Sequence, residues 1–286
     1  MAAIYKSEEG AQAIHARYRE ILNLWPAPNR QFTVPTRAGD TFVISCGPES
    51  APPVLLLHGS ASNSFMWITE AAALAAHFRV YAVDLIGEPG LSARTRYAPG
   101  TDEHALWLDD VLQALSVTSA SLVGVSLGGW VALDFAIRRT QRVKALALIC
   151  PAGIGKLKNF LLKAFPLFFM GEWGQKKLRA MVLGRAYTSR GPTAKPVEAF
   201  LASIFRNFKP RRDRIPQASD AELARLKMPI AIFIGGEDAL IDSADTRRRA
   251  EQLLPQAEIH FDPNIGHFIP TPAAEIVAFL CRANGV

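Results

Sequence analysis

The sequence predicts an α/β fold built on a mostly parallel sheet. Short, continuous apolar runs alternate with helical stretches, and each run ends in a polar or glycine-containing loop. Such runs mark strands buried on both faces, as in a parallel sheet covered by helices. The alternation breaks between Pro151 and about Ile215, where no strand-like run occurs. With 286 residues and 49% apolar content, the chain can bury one large core carrying a modest insertion.

Residues 7–25 read as an amphipathic helix opened by Ser7, with Ile14, Tyr18, Ile21 and Leu22 at helical spacing and Pro26 and Pro28 closing it. Gln31–Pro35 and Thr41–Cys46 read as strands around a hairpin turn at Ala38-Gly39-Asp40. The buried runs follow. Val54–Leu57 ends in His58-Gly59, Val80–Val83 at Asp84, and Ser121–Val125 at Ser126. Ala145–Ile149 ends near Cys150, Ile230–Ile234 in Gly235-Gly236, and Glu258–Phe261 is the last. Helices are expected over 65–77, 101–116, 127–139, 243–254 and 271–282. Asp102 and Glu103 after Thr101 suit the positive end of a helix dipole. Parallel neighbours then require right-handed crossovers.

The interruption has its own composition. Residues 151–215 carry 14 Lys and Arg against Glu172, Glu198 and Asp213, a net of +11, while the rest of the chain is −5. We read residues 151–215 as a helical cap or lid inserted into a core made of 1–150 and 216–286. Phe160, Leu161, Phe165, Phe168, Phe169 and Met170 either line an acyl pocket or form the cap's own core, and Trp67, Trp130 and Trp173 are equally open. The cluster Lys209-Pro210-Arg211-Arg212-Asp213-Arg214 comes without a nucleic-acid-binding motif, so it is expected to be a solvated face. A basic cap would favour anionic substrates or an acidic partner surface.

Composition excludes several classes. The three cysteines, Cys46, Cys150 and Cys281, are an odd number without close spacing, so neither a disulfide framework nor a metal ligand set is expected. The first residues lack the charged start and apolar run of a signal peptide. The apolar stretch Ala164–Gly171 is far short of the roughly 20 residues of a membrane helix. A cytoplasmic protein with reduced thiols is expected.

The chemistry begins at Gly124-Val125-Ser126-Leu127-Gly128, where a strand run gives way to a helix. This G-x-S-x-G spacing puts a serine on a strained turn so that its hydroxyl clears the sheet. Glycines remove side chains that would block the strand from the helix. A serine hydroxyl needs a base, usually histidine held by a carboxylate, and in this architecture both follow the serine in the chain. Of six histidines only His260 and His267 do so. His260 lies within a strand run, whereas His267 sits in the loop Asn264–Phe268 beyond it, where catalytic residues belong. Among the later acids, Asp134 lies in a helix, and Asp213, Asp220 and Asp262 follow no buried strand. Asp238 leaves the strand Ile230–Ile234 and is the choice. Asp242 is the runner-up, with helix capping as its bland reading, and Glu237 reads as an exposed loop acid. The developing oxyanion needs two donors: the Leu127 N–H, and one from the loop His58-Gly59-Ser60-Ala61-Ser62. Ser60 N–H is chosen, with Ala61 as fallback, and His58 is read as a structural hydrogen-bonding residue.

Taken together, LLLHGSASNSFMW at 55–67, VYAVDLIGEPGLS at 80–92, LVGVSLGGWVAL at 122–133, MPIAIFIGGEDALI at 228–241 and PNIGHFIP at 263–270 resemble the α/β-hydrolase superfamily, in particular its small bacterial carboxylesterase-like members. The resemblance implies an α/β-hydrolase fold with an eight-stranded mostly parallel sheet and a cap over the site. Ser126 stands where dehalogenases and epoxide hydrolases of the family carry aspartate. The turn Gly87-Glu88-Pro89-Gly90-Leu91-Ser92 is a looser version of a common family turn. The expected function is hydrolysis of a small-molecule carboxylic ester through an acyl-enzyme on Ser126, with no metal or organic cofactor. Amide, lactone or carbon–carbon hydrolysis and cofactor-free perhydrolysis use the same site, and a slowly turning-over ligand receptor is the alternative from another class.

Overall fold

A computed structural model describes residues 3–159, 170–171, 173–174, 177, 194–270 and 272–286. Eight strands form one sheet: β1 (Asn29–Val34), β2 (Thr41–Cys46), β3 (Pro53–Leu57), β4 (Arg79–Val83), β5 (Ala120–Val125), β6 (Val143–Ile149), β7 (Ile230–Gly235) and β8 (Ala257–Asp262). Their order is β1-β2-β4-β3-β5-β6-β7-β8. The pairings β1–β2 and β2–β4 are antiparallel, and all others are parallel. Each strand lies where its apolar run predicts it, with ends shifted by one or two residues.

Side chains of adjacent strand residues point to opposite faces, so one strand feeds two cores. Leu55 and Leu57 join the core formed with Trp107, Leu108, Trp130 and Leu133, whereas Val54 and Leu56 join that of Tyr18, Trp67, Phe78 and Phe279. Helices α3 (Glu103–Ala114) and α4 (Leu127–Arg138) cover the first face. Helix α1 (Glu8–Leu22) and the short α2 (Ala71–Ala75) lie on the second. The Ser7 hydroxyl caps α1 by accepting the Gly10 N–H at 3.0 Å, as the sequence predicts.

The expected continuous helix over 65–77 is not formed. A 3-10 turn at Ser64–Trp67 is followed by the five-residue α2. Tertiary hydrogen bonds override the local pattern: Ser64 N–H donates to Asp84 at 2.8 Å, and the Asn63 amide donates to the Pro89 carbonyl at 2.9 Å.

Between β6 and β7 the described chain contains α5 (Ala194–Asn207) and α6 (Asp220–Ala224). Helix α5 docks on α1. Tyr18 stacks on Phe200 with ring centres 5.8 Å apart, and Lys6 N–H donates to the Asn207 carbonyl at 2.8 Å. Phe160, Leu161, Phe165, Phe168 and Phe169 lie outside the described residues, while Met170 is exposed. Trp67 and Trp130 are core residues, and Trp173 is exposed beneath the Lys177 ammonium. Among the described residues, no helix is long and apolar enough to cross a membrane.

The turn from β5 into α4 has no room for side chains. A Cβ on Gly128 would lie 2.1 Å from the Leu57 carbonyl oxygen, and one on Gly124 would lie 2.4 Å from the Gly128 oxygen. Gly128→Ala is therefore expected to cost about 3 kcal/mol or more of folding stability, since backbone cannot give way like a flexible side chain. Urea unfolding of the variant would measure it, and an unchanged midpoint would contradict this packing.

Candidate active site

Parallel strand order brings the sequence-predicted residues to one edge of the sheet. Ser126 follows β5, Cys150 follows β6, Asp238 lies just beyond β7, and His267 lies in the loop after β8. Backbone bonds hold these ends level: Ser126 N–H donates to the Ile149 carbonyl at 2.9 Å, and Cys150 N–H to the Phe233 carbonyl at 2.9 Å. Ser126 has φ 51° and ψ −107°, a left-handed conformation that a non-glycine residue adopts only under constraint. The close approach of Gly124 and Gly128 supplies that constraint.

His267 Nδ1 lies 2.7 Å from Asp238 Oδ2, with the histidine side chain 11% exposed and the acid 3%. The Nδ1–H donates to the carboxylate, which leaves the Nε2 lone pair available for a proton. Nε2 has no hydrogen-bond partner among the described residues. Asp238 Oδ1 accepts the N–H groups of Leu240 at 2.7 Å and Ile241 at 3.0 Å. Burial by itself would raise the Asp238 carboxyl. The hydrogen bond and charge of His267, with the N–H groups of Ile241 and Leu240, outweigh burial and hold it below its ordinary value of 3.8.

The acid loop is braced from outside. Lys158 Nζ donates to the Asp238 carbonyl at 2.7 Å, and Leu157 pairs with Ile241 across an antiparallel bridge. The sequence predicts Cys150 only as a reduced thiol. It is buried, but it also carries a positive φ of 41° and stands beside Asp238. Burial, then the Asp238 charge, push its thiol well above the ordinary range, so it remains protonated. One donor atom each from Cys150, Asp238 and His267 fall within 4.8 Å of one another, and the Asp238–His267 hydrogen bond already joins two of these residues. The sequence signal for Cys150 was available in its position, one residue past a strand between those of the serine and the acid.

The loop after β3 faces the serine: a Cβ on Gly59 would lie 3.7 Å from the Ser126 Cβ. The N–H groups of Ser60 and Leu127 make no other hydrogen bond among the described residues. Ala61, the fallback donor, is not available, because its N–H donates to Glu88 Oε2 at 2.7 Å. His58 is fully buried; Leu85 N–H donates to its Nε2 at 2.9 Å, so its Nδ1–H donates to the Gly59 carbonyl at 2.8 Å. Burial lowers its pKa, and a neutral structural ring results.

The set-aside residues have other partners. Asp242 caps helix α7 (Ser243–Leu253) by accepting Asp245 N–H. Asp134 pairs with Arg138, Asp213 with Arg211, and Asp220 with Arg249. His260 stacks on Phe233, and Glu237 is exposed. One reading of the basic cluster needs correction. Lys209, Arg212 and Arg214 are exposed, but the Arg211 side chain is only 5% exposed and bonds to the Tyr97 carbonyl inside the fold.

Comparison with known proteins agrees with this architecture. Residues 52–178 match the family model of the alpha/beta hydrolase fold. The uncharacterized carboxylesterase nap of Bacillus subtilis is 31% identical over 88% of this chain and 85% of its own length. The crystal structure of carboxylesterase CesB (YbfK) from Bacillus subtilis superposes with a TM-score of 0.82 at 30% identity, over 96% of this chain and 99% of that one. Naproxen esterase from the same organism also gives 0.82, at 28% identity over 96% and 97%. The chain therefore belongs to the α/β-hydrolase superfamily, alongside these bacterial carboxylesterases.

Proposed function

We propose that the chain hydrolyses a small-molecule carboxylic ester by double displacement on Ser126. The observation that carries this reading is the 2.7 Å His267–Asp238 contact, with Nε2 unengaged at the sheet edge where Ser126 stands on its strained turn. His267 Nε2 takes the Ser126 hydroxyl proton as Oγ attacks the ester carbonyl. The N–H groups of Ser60 and Leu127 hold the oxyanion. Collapse expels the alcohol, which receives that proton from His267. Water then gives a proton to His267 and attacks the acyl-enzyme, releasing the acid and restoring Ser126. Side chains and water move every proton, so these steps call for no metal or organic cofactor.

Residues 151–215 act in this reading as a cap over the site, on a core of 1–150 and 216–286. The carboxylesterase relatives support an ester rather than an amide or a carbon–carbon bond. The cysteines are unpaired, which supports a cytoplasmic location.

p-Nitrophenyl esters of increasing acyl length, assayed with Ser126→Ala as control, test the reaction. The variant should lose about 10⁴-fold or more in kcat. A fluorophosphonate should add to Ser126, and an intact enzyme without adduct would favour a receptor.

Asp238→Asn should lower kcat by about 10⁴-fold through the wrong His267 tautomer. Because the native Asp238 carboxyl lies below 3.8, its contribution to stability is present above that pH and is lost as pH falls through its native value. The stability difference between wild type and Asp238→Asn should thus be constant near neutrality and shrink below about pH 4 in urea unfolding. A pH-independent difference would contradict the ionised pair.

A further inference from the structure

The turn Gly87–Ser92, which follows β4, packs against Ser60 and Ala61 and places a carboxyl group there. Glu88 is 1% exposed. Its Oε2 accepts the Ala61 N–H at 2.7 Å and the Ser60 hydroxyl at 3.5 Å, while its buried Oε1 has no hydrogen-bond partner among the described residues. Leaving one buried carboxylate oxygen unsatisfied opposes folding. The cationic neighbours lend charge but no hydrogen bond to it. Arg96, on the segment after this turn, donates to the carbonyls of Gly87 and Lys209. Arg211, from the segment after α5, bonds to the Tyr97 carbonyl and lies 3.5 Å from His104 Nε2. The Glu88 charge in turn reaches Tyr5 of the N-terminal segment, and Asp84 lies beneath the turn with Asp213 beside Arg211.

The charge-assisted bond of this carboxylate therefore goes to one backbone group. Ala61 has φ 54°, a left-handed conformation that costs a non-glycine residue energy unless the surroundings hold it. The Glu88–Ala61 bond is such a hold, and with Ala61 N–H engaged, Ser60 N–H is left for the oxyanion.

We propose that Glu88 is a positioning residue for ester hydrolysis, clamping the Ser60–Ala61 turn so that Ser60 N–H stays in the oxyanion pocket. This rests on the Ser126 reading above. Burial pushes the Glu88 carboxyl up to about 7, against the lowering effects of Ala61 N–H, Arg96, Arg211 and Ser60. Ionised, it binds the Ala61 N–H strongly; protonated, it binds weakly and the turn relaxes. Turnover supported by the clamp is present above that pH and lost as pH falls through it. Stability runs the other way: the raised Glu88 carboxyl contributes stability that is full below its ordinary value of 4.5 and is lost as pH rises through about 7.

The test is kcat and KM from about pH 5.5 to about pH 9 on one p-nitrophenyl ester, for wild type, Glu88→Ala, Glu88→Gln and Ser126→Ala. Glu88→Ala should lose about tenfold or more in kcat with KM changed by less than about threefold. Glu88→Gln keeps an amide oxygen for the Ala61 N–H. It should recover most of kcat, and its acid limb should show one ionisation fewer than wild type. Unchanged kcat in Glu88→Ala, or a Glu88→Gln profile that overlays wild type, overturns the clamp. If Glu88→Ala does not fold, the Glu88→Gln profile decides. Turnover retained in Ser126→Ala overturns the underlying reaction as well, whereas a dead Ser126→Ala beside unaltered Glu88 variants overturns the clamp alone.

Discussion

The reactive edge of this sheet depends on a contact between backbones. Gly128 lies so close to the Leu57 carbonyl, and Gly124 so close to Gly128, that neither position can hold a Cβ. The ends of β3 and β5 and the start of α4 are thereby drawn together, and the residue joining strand to helix is bent to φ 51°. The strain is local, while packing over two buried faces sustains it. This packing thus sets two things: Ser126 sits on a strained turn where strand meets helix, and the loop after β3 lies alongside it. Within the proposed mechanism, nucleophile and oxyanion donors are positioned by a single piece of packing.

Around that turn the fold buries three carboxylates, and their partners differ. Asp84 ends β4 with three donors: the Tyr18 hydroxyl at 2.9 Å and the N–H groups of Ser64 and Leu91, both at 2.8 Å. It ties α1 to the loops on either side of the oxyanion turn. Asp238 has two N–H donors on one oxygen and His267 on the other. Glu88 has one short bond and one empty oxygen. Fully bonded acids behave as fixed structure, whereas a half-bonded buried acid changes its charge readily.

Helix α5 belongs to the connection between β6 and β7, yet Phe200 anchors it to α1, and Asn207 and the following Lys209 bond to Lys6 and Ile4 of the segment before α1. The same connection supplies Lys156 and Lys158 to the acid loop, through Lys156 O with Asp242 N–H and Lys158 Nζ with the Asp238 carbonyl. A segment that reads as an insertion is therefore also a brace on the candidate site. Movement of the proposed cap would be felt at Asp238 through its own first residues.

Much of this was legible without coordinates. Strands buried on both faces leave unbroken apolar runs, so all of the strand positions could be read, and Ser7 and Asp242 announced the helices they cap. Elimination by chain order brought Ser126, Asp238 and His267 together on paper because parallel strands put successive loops on one edge. The segment 65–77, the inward Arg211 and the Glu88–Ala61 bond were not legible. Each depends on a partner far away in the chain, and local periodicity carries no information about that partner. The sequence by itself determined the α/β class, the order of the strands along the chain and the identity of the candidate serine, acid and histidine, since these rest on local pattern and chain order. Only the tertiary structure decided which N–H of the Ser60–Ala61 turn is left for the proposed oxyanion role, because a buried carboxylate from another loop had already engaged its neighbour.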